Sequence, residues 1–173
     1  MADLDPIVRR VIPGGLALLP SRLDSVPARV MLLAIHLQED PDQRRRQWPT
    51  GPARGLWQFE QGGGVRGVLN HAATRAMARA ACAERGVDAV PATVWKALEH
   101  DDLLACAFAR LLLWTDPQPL PKPGYGAAAF QLYLRTWRPG AWANGTTEQR
   151  QALRAKWDRG YAKATETIAA VPA

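Results

Sequence analysis

The chain has 173 residues, enough for one domain with a real core and too few to suggest two. Apolar residues at 47% and charged residues at 22% exclude a disordered tail. A formal charge of +6 favours anionic partners, but the one dense basic cluster is Arg44-Arg45-Arg46, so net charge alone stands behind a nucleic-acid reading.

Residues 1–20 read as an arm or short helix followed by a turn, broken by Pro13, Gly14, Gly15 and Pro20. This N-terminus carries acids first and does not read as a secretory signal. Ser25 then stands before Val26-Pro27, an N-cap with proline in the first turn. Val26, Val30, Leu33, Ala34 and Leu37 recur at helical spacing to about Gln38, and Pro41 stops the helix. Glu39 and Asp40 fall in its last turn, where the helix dipole disfavours negative charge and raises a carboxyl pKa. His36, a turn earlier, reads as a helix histidine satisfied in place.

Residues 41–54 form a polar, Arg-rich loop, and the Arg44–Arg46 run in it reads as solvated. Gly55-Leu56-Trp57-Gln58-Phe59 is a short apolar piece, with a small strand pair expected near 55–68. Gly62-Gly63-Gly64 is a flexible turn and lacks the Lys-Ser/Thr ending of a phosphate-binding loop. Helices are expected from Thr74 to about Arg85, with Gly86 as the stop, and over about 91–99. Asp101 or Asp102 caps the next, apolar nearly all round through Leu112 and so the central buried helix. After a proline-rich connector, a helix runs from about 125 to 137. The last begins near Thr146, where Thr146 with Gln149 fits a capping box. Its inner stripe is Leu153, Trp157, Tyr161, Ala164 and Ile168.

The fold class expected is mainly α, an arm over 1–24 and one domain over 25–173 with a minimal β element. Cys82 and Cys106 read as buried free thiols, and the scattered histidines His36, His71 and His100 do not resemble a metal site, so no cofactor is expected. No segment reaches the length of a membrane span. The seven tryptophans are either core anchors, the reading for Trp114 and Trp157, or flat platforms for sugar rings.

Cleaving a glycosidic bond needs a carboxylic acid whose pKa is lifted towards neutrality by apolar surroundings. Glu39, above Leu33 and Leu37, fits that need. Gln58, with Trp57 and Phe59 around it, could supply hydrogen bonds and flat rings to N-acetyl sugars.

These two stretches, Leu37-Gln38-Glu39-Asp40 and Gly51 through Glu60, resemble the leading motifs of lytic transglycosylases and goose-type lysozymes. In that family a helix ends in Glu-Ser, and Gly-Leu-Met-Gln follows a loop later. The resemblance covers about residues 28–60. It implies a lysozyme-like (α+β) fold, Glu39 as sole catalytic acid and base, and Gln58 lining the sugar groove, with Trp57 and Glu60 beside it. The family's third motif places a tyrosine facing the acid; Tyr133 is favoured here, with Trp142 and Asn144 the other match. Asp40 departs from the family's serine, which normally orients the glutamate.

With one carboxyl group, the expected product is an anhydro-muramyl end. A hydrolase would recruit a second carboxylate, from Asp42 or Glu60. The expected partner is peptidoglycan, together with other virion proteins and without specific nucleic acid or membrane span. The resemblance to wall-degrading proteins carried in bacteriophage particles implies a virion setting, with delivery to the host periplasm during genome entry. The alternatives are a structural virion protein that keeps a lysozyme-like fold without activity, and a small basic nucleic-acid-binding protein.

Overall fold

The computed structural model describes residues 2–171; Met1 and residues 172–173, the ends of the two expected ranges, lie outside them. The chain is mostly helical, at 64%, with almost no strand. In chain order, a wide turn over Ile7–Val11 runs into α1 (Ile12–Ala17), and α2 follows (Val26–Glu39). After a long loop come α3 (Arg66–Asn70), α4 (Arg75–Glu84), α5 (Pro91–Ala97) and α6 (Asp102–Trp114). The remaining helices are α7 (Gly126–Trp137), α8 (Gly140–Ala143) and α9 (Thr147–Ala169).

Local chemistry sets the ends of these helices. Ser25 Oγ accepts from the Ala28 amide at 3.2 Å to open α2, and Asp101 Oδ1 accepts from Leu104 N at 3.0 Å to open α6. Thr146 and Gln149 form both halves of the capping box that starts α9. Gly86 closes α4 with a φ of 65°, a left-handed cap. Thr74 precedes α4 but caps nothing with its side chain, because its hydroxyl donates to the Val68 carbonyl at 2.7 Å.

α6 is buried through most of its length and forms the axis of the core, as its all-round hydrophobicity predicts. The main helix pair is α2 with α9. They come close at Gly160, where a Cβ would sit in contact with Leu37 Cβ at 3.4 Å.

The segment expected as an arm is part of the core. Leu4, Ile7, Val11, Ile12, Leu16 and Leu23 are all buried in the same hydrophobic cluster as α2 and α6. Pro13, read as a breaker, is the second residue of α1 and is accommodated where the wide turn over Ile7–Val11 passes into that helix. Gly15 is there for space: a Cβ on it would fall 2.4 Å from Cys106 Cβ.

The expected strand pair over 55–68 reduces to isolated bridges, Arg46 with Arg54 and Arg54 with Phe59. Residues 61–65 coil instead into a wide helical turn that enters α3. Both cysteines are buried free thiols. Trp157 lies in the core, whereas Trp114 reaches the surface with Arg110 5.2 Å over its ring.

Candidate active site: a groove around Glu39

The long loop between α2 and α3 folds back beside the end of α2. Asp40 anchors its start, with its two carboxylate oxygens accepting from the Arg44 and Arg45 amides at 2.9 and 2.8 Å. Asp40 therefore organises the loop and makes no hydrogen bond to Glu39. Arg45 then grips Asp102 at the head of α6 through two bonds, at 2.8 and 2.7 Å.

The Gly55–Gln58 turn closes the loop. Phe59 N donates to Arg54 O at 2.8 Å and Arg54 N returns to Phe59 O at 2.9 Å. Gly55 has a φ of 78°, and a Cβ there would meet the Leu98 carbonyl at 2.5 Å, so only glycine fits. Leu56 and Trp57 turn into the core. Gln58, at the left-handed φ of 50°, is half-buried on the groove wall. Its backbone N and its Nε2 both donate to Gly55 O, at 3.0 and 2.9 Å. The side-chain carbonyl is thus aimed by its own turn.

Trp57 is not a platform for a ligand. It is fully buried, and its indole N–H donates to the Leu32 carbonyl at 2.9 Å, so it locks the turn onto α2. The groove's indoles come from elsewhere. Trp137 lies half-buried on the wall, its N–H donating to the Trp57 carbonyl at 2.9 Å, and Trp48 stands 72% exposed at the rim with Arg44 4.9 Å over its ring. Trp48 had no helical or strand pattern to mark it. Trp137 ends a helix stripe and reads as core from sequence.

The groove itself encloses about 1150 Å³ and is bordered by Glu39, Gln58, Tyr133, Trp137, Glu60 and Asp42, among others. Glu39 sits half-buried at its floor, and Tyr133 Oη donates to Glu39 Oε1 at 2.7 Å. Tyr133 is buried, with its ring stacked 4.8 Å from Trp157. The neighbouring Gln38 side chain pulls the phenol's pKa down, against the larger effects of burial and Glu39, and Gln38 Oε1 is left buried without a partner among the described residues.

Burial pushes the Glu39 carboxyl up to about 7, against the opposing pull of the Tyr133 hydrogen bond, the Lys156 charge and, in the other direction, Asp40. Such a group is part acid and part carboxylate near neutrality, the condition for giving and then taking one proton. The Tyr133 phenol is pushed up by burial and by Glu39, so it stays a donor.

The other expected residues divide between the groove and positions away from it. Glu60 is exposed on the groove wall, and Asp42 lies on the rim, 3.1 Å from Arg44. Trp142 packs edge-on at 5.2 Å against Phe130 and does not reach the groove, and Asn144 is exposed beyond α8. His36 is buried, held neutral by burial, and only half satisfied: its Nδ1–H meets the Leu56 carbonyl at 3.2 Å, while Nε2 is buried without a partner among the described residues. Arg46 does not stand free, since it pairs with Glu99. No group of His, Cys, Asp and Glu among the described residues could hold a metal ion. No helix among them is long and apolar enough to cross a membrane.

Lys156 is a further groove residue that the sequence does not mark. It borders the groove from α9 and donates to the Gln38 carbonyl. A lysine in an amphipathic helix reads as solvated, and nothing local marks this one. The chain as a whole matches no protein-family model, no curated protein and no solved structure.

Proposed function

We propose that this chain is a lysozyme-like peptidoglycan lytic transglycosylase in which Glu39 acts as both acid and base. The observation that carries the reading is the pairing of Glu39 with Tyr133 at 2.7 Å on the floor of a groove that Gln58 also borders. Glu39, Gln58 and Tyr133, from three widely separated stretches of sequence, border the same groove, which supports this reading.

In this reading neutral Glu39 gives its proton to the glycosidic oxygen as the bond from C1 of the muramyl sugar to that oxygen breaks. The leaving sugar departs with a free hydroxyl, and the substrate's N-acetyl group supports the developing charge at C1. The Glu39 carboxylate then takes the proton of the C6 hydroxyl, whose oxygen closes on C1 to give the anhydro end. Glu39 finishes protonated, so the cycle balances without water. Tyr133 supports the carboxylate stage, Gln58 offers its carbonyl to an acetamido N–H, and Trp48 and Trp137 give flat faces for sugar rings. Glu60 and Asp42, both on the same groove, support a hydrolytic second reading in which one of them positions water.

The setting in a bacteriophage particle, opening the host wall during genome entry, follows from the resemblance and belongs to the proposal. The test is clearance of purified sacculi. Wild-type protein should clear them and an equally folded Glu39→Gln variant should not. Equal behaviour would favour a structural virion protein, and salt-sensitive DNA binding indifferent to Glu39 would favour nucleic acid.

A further inference from the structure

A half-buried lysine beside an acid is costly to keep and calls for a reason. Lys156 lies on α9, one turn before Gly160, which faces Leu37 of α2. Its Nζ donates to the Gln38 carbonyl, at the last turn of α2 and next to Glu39 in sequence. It also borders the groove. We propose that Lys156 is a positioning residue for Glu39: it holds the last turn of α2 by its carbonyl and is the counter-charge to the carboxylate that proton donation leaves behind. This rests on Glu39 being the proton donor.

The surroundings make the assignment specific. The end of a helix presents carbonyls, which repel a carboxylate. Lys156 engages one of those carbonyls, so it offsets the repulsion at its source. The acids that face it are Glu39 and Asp40 at the end of α2 and Asp42 on the loop; Tyr133 meets Glu39 from α7. Arg154 and Asp158, its neighbours on α9, pair with each other at 2.8 Å and take no part. His36, a turn back, faces Leu56.

Burial alone would leave Glu39 a stubborn acid, good at giving its proton and poor at standing as a base. Tyr133 supplies a hydrogen bond to the carboxylate, and Lys156 supplies charge. Both halves of a one-carboxylate cycle then become accessible near neutral pH.

The experiment is a carbon-13 NMR titration that follows the Glu39 carboxyl and the Lys156 Cε together, with sacculus cleavage measured in parallel across pH. In wild-type protein Lys156 Cε should show a step at the Glu39 midpoint. In Lys156→Met that midpoint should rise by about one pH unit, the effect of losing a nearby opposite charge, with the basic limb of the cleavage profile moving up alongside it. Lys156→Arg should restore the wild-type midpoint. Lys156→Gln, which keeps a donor but not the charge, should resemble Lys156→Met. An unmoved midpoint in folded Lys156→Met would overturn the proposal. Where that variant does not fold, a wild-type Lys156 Cε blind to the Glu39 step overturns it equally. A coupled titration without cleavage in any protein would retain Lys156 beside Glu39 and refute the peptidoglycan reading instead.

Discussion

Tyr133 donates a 2.7 Å hydrogen bond to Glu39 across 94 residues of chain, joining the middle of α7 to the last residue of α2. The bond favours the carboxylate over the acid, while burial favours the acid. Tyr133→Phe removes the first influence and leaves the second. The Glu39 midpoint should move further up, and cleavage should fall by roughly 10- to 100-fold, the kinetic equivalent of a hydrogen bond to a charged group of about 1.5–3 kcal/mol. A pH–rate profile of the variant checks both expectations at once.

The raised Glu39 pKa also has a stability consequence. The group binds its proton more tightly folded than unfolded, so its cost to the fold is absent below the ordinary value of 4.5, grows as pH rises and is complete above about 7. Replacing the carboxyl with an amide removes that cost. Glu39→Gln should therefore be more stable than wild type by roughly 1–3 kcal/mol at pH 8 and equal to it near pH 4. Urea unfolding at the two pH values measures the difference. A variant that gains stability while losing activity is the signature of a site held against its own folding preference.

Asp40 tests the loop rather than the chemistry. Its carboxylate receives the amides of Arg44 and Arg45. Asp40→Ala strands both donors, and a loss of about 2 kcal/mol in unfolding free energy is expected. Asp40→Ser, which keeps a short hydrogen-bond acceptor at the position, should recover part of that loss.

The N-terminal segment gives a prediction about packing. A valine at Gly15 has to fit where even a Cβ would lie 2.4 Å from Cys106 Cβ and 2.8 Å from the Leu103 carbonyl. Gly15→Val should lower stability by about 2–3 kcal/mol, read by thermal unfolding, although the position lies far from the groove.

These cases show which features the sequence exposes. α2 was legible because Ser25, Pro27 and Pro41 punctuate it and its apolar period is unbroken. Glu39 followed from that boundary. The fate of Trp57 was not legible, because a tight turn has no period to say which of two adjacent side chains points inward; Gly55 and the Leu98 carbonyl decide it. The N-terminal segment was misread for a related reason. Gly14 and Gly15 signal either a turn or close packing, and only the presence of Leu103 and Cys106 against them distinguishes the two. Lys156 stands 118 residues from the carbonyl it holds, a separation that no local pattern spans.

The most direct measurement is mass spectrometry of the ends released from purified sacculi by wild-type protein and by Glu39→Gln. Wild type should release anhydro-muramyl ends, lighter by one water than reducing ends, and the variant should release none. Identical fragments from both proteins, or no fragments from either, would contradict the assignment of Glu39 as the proton donor.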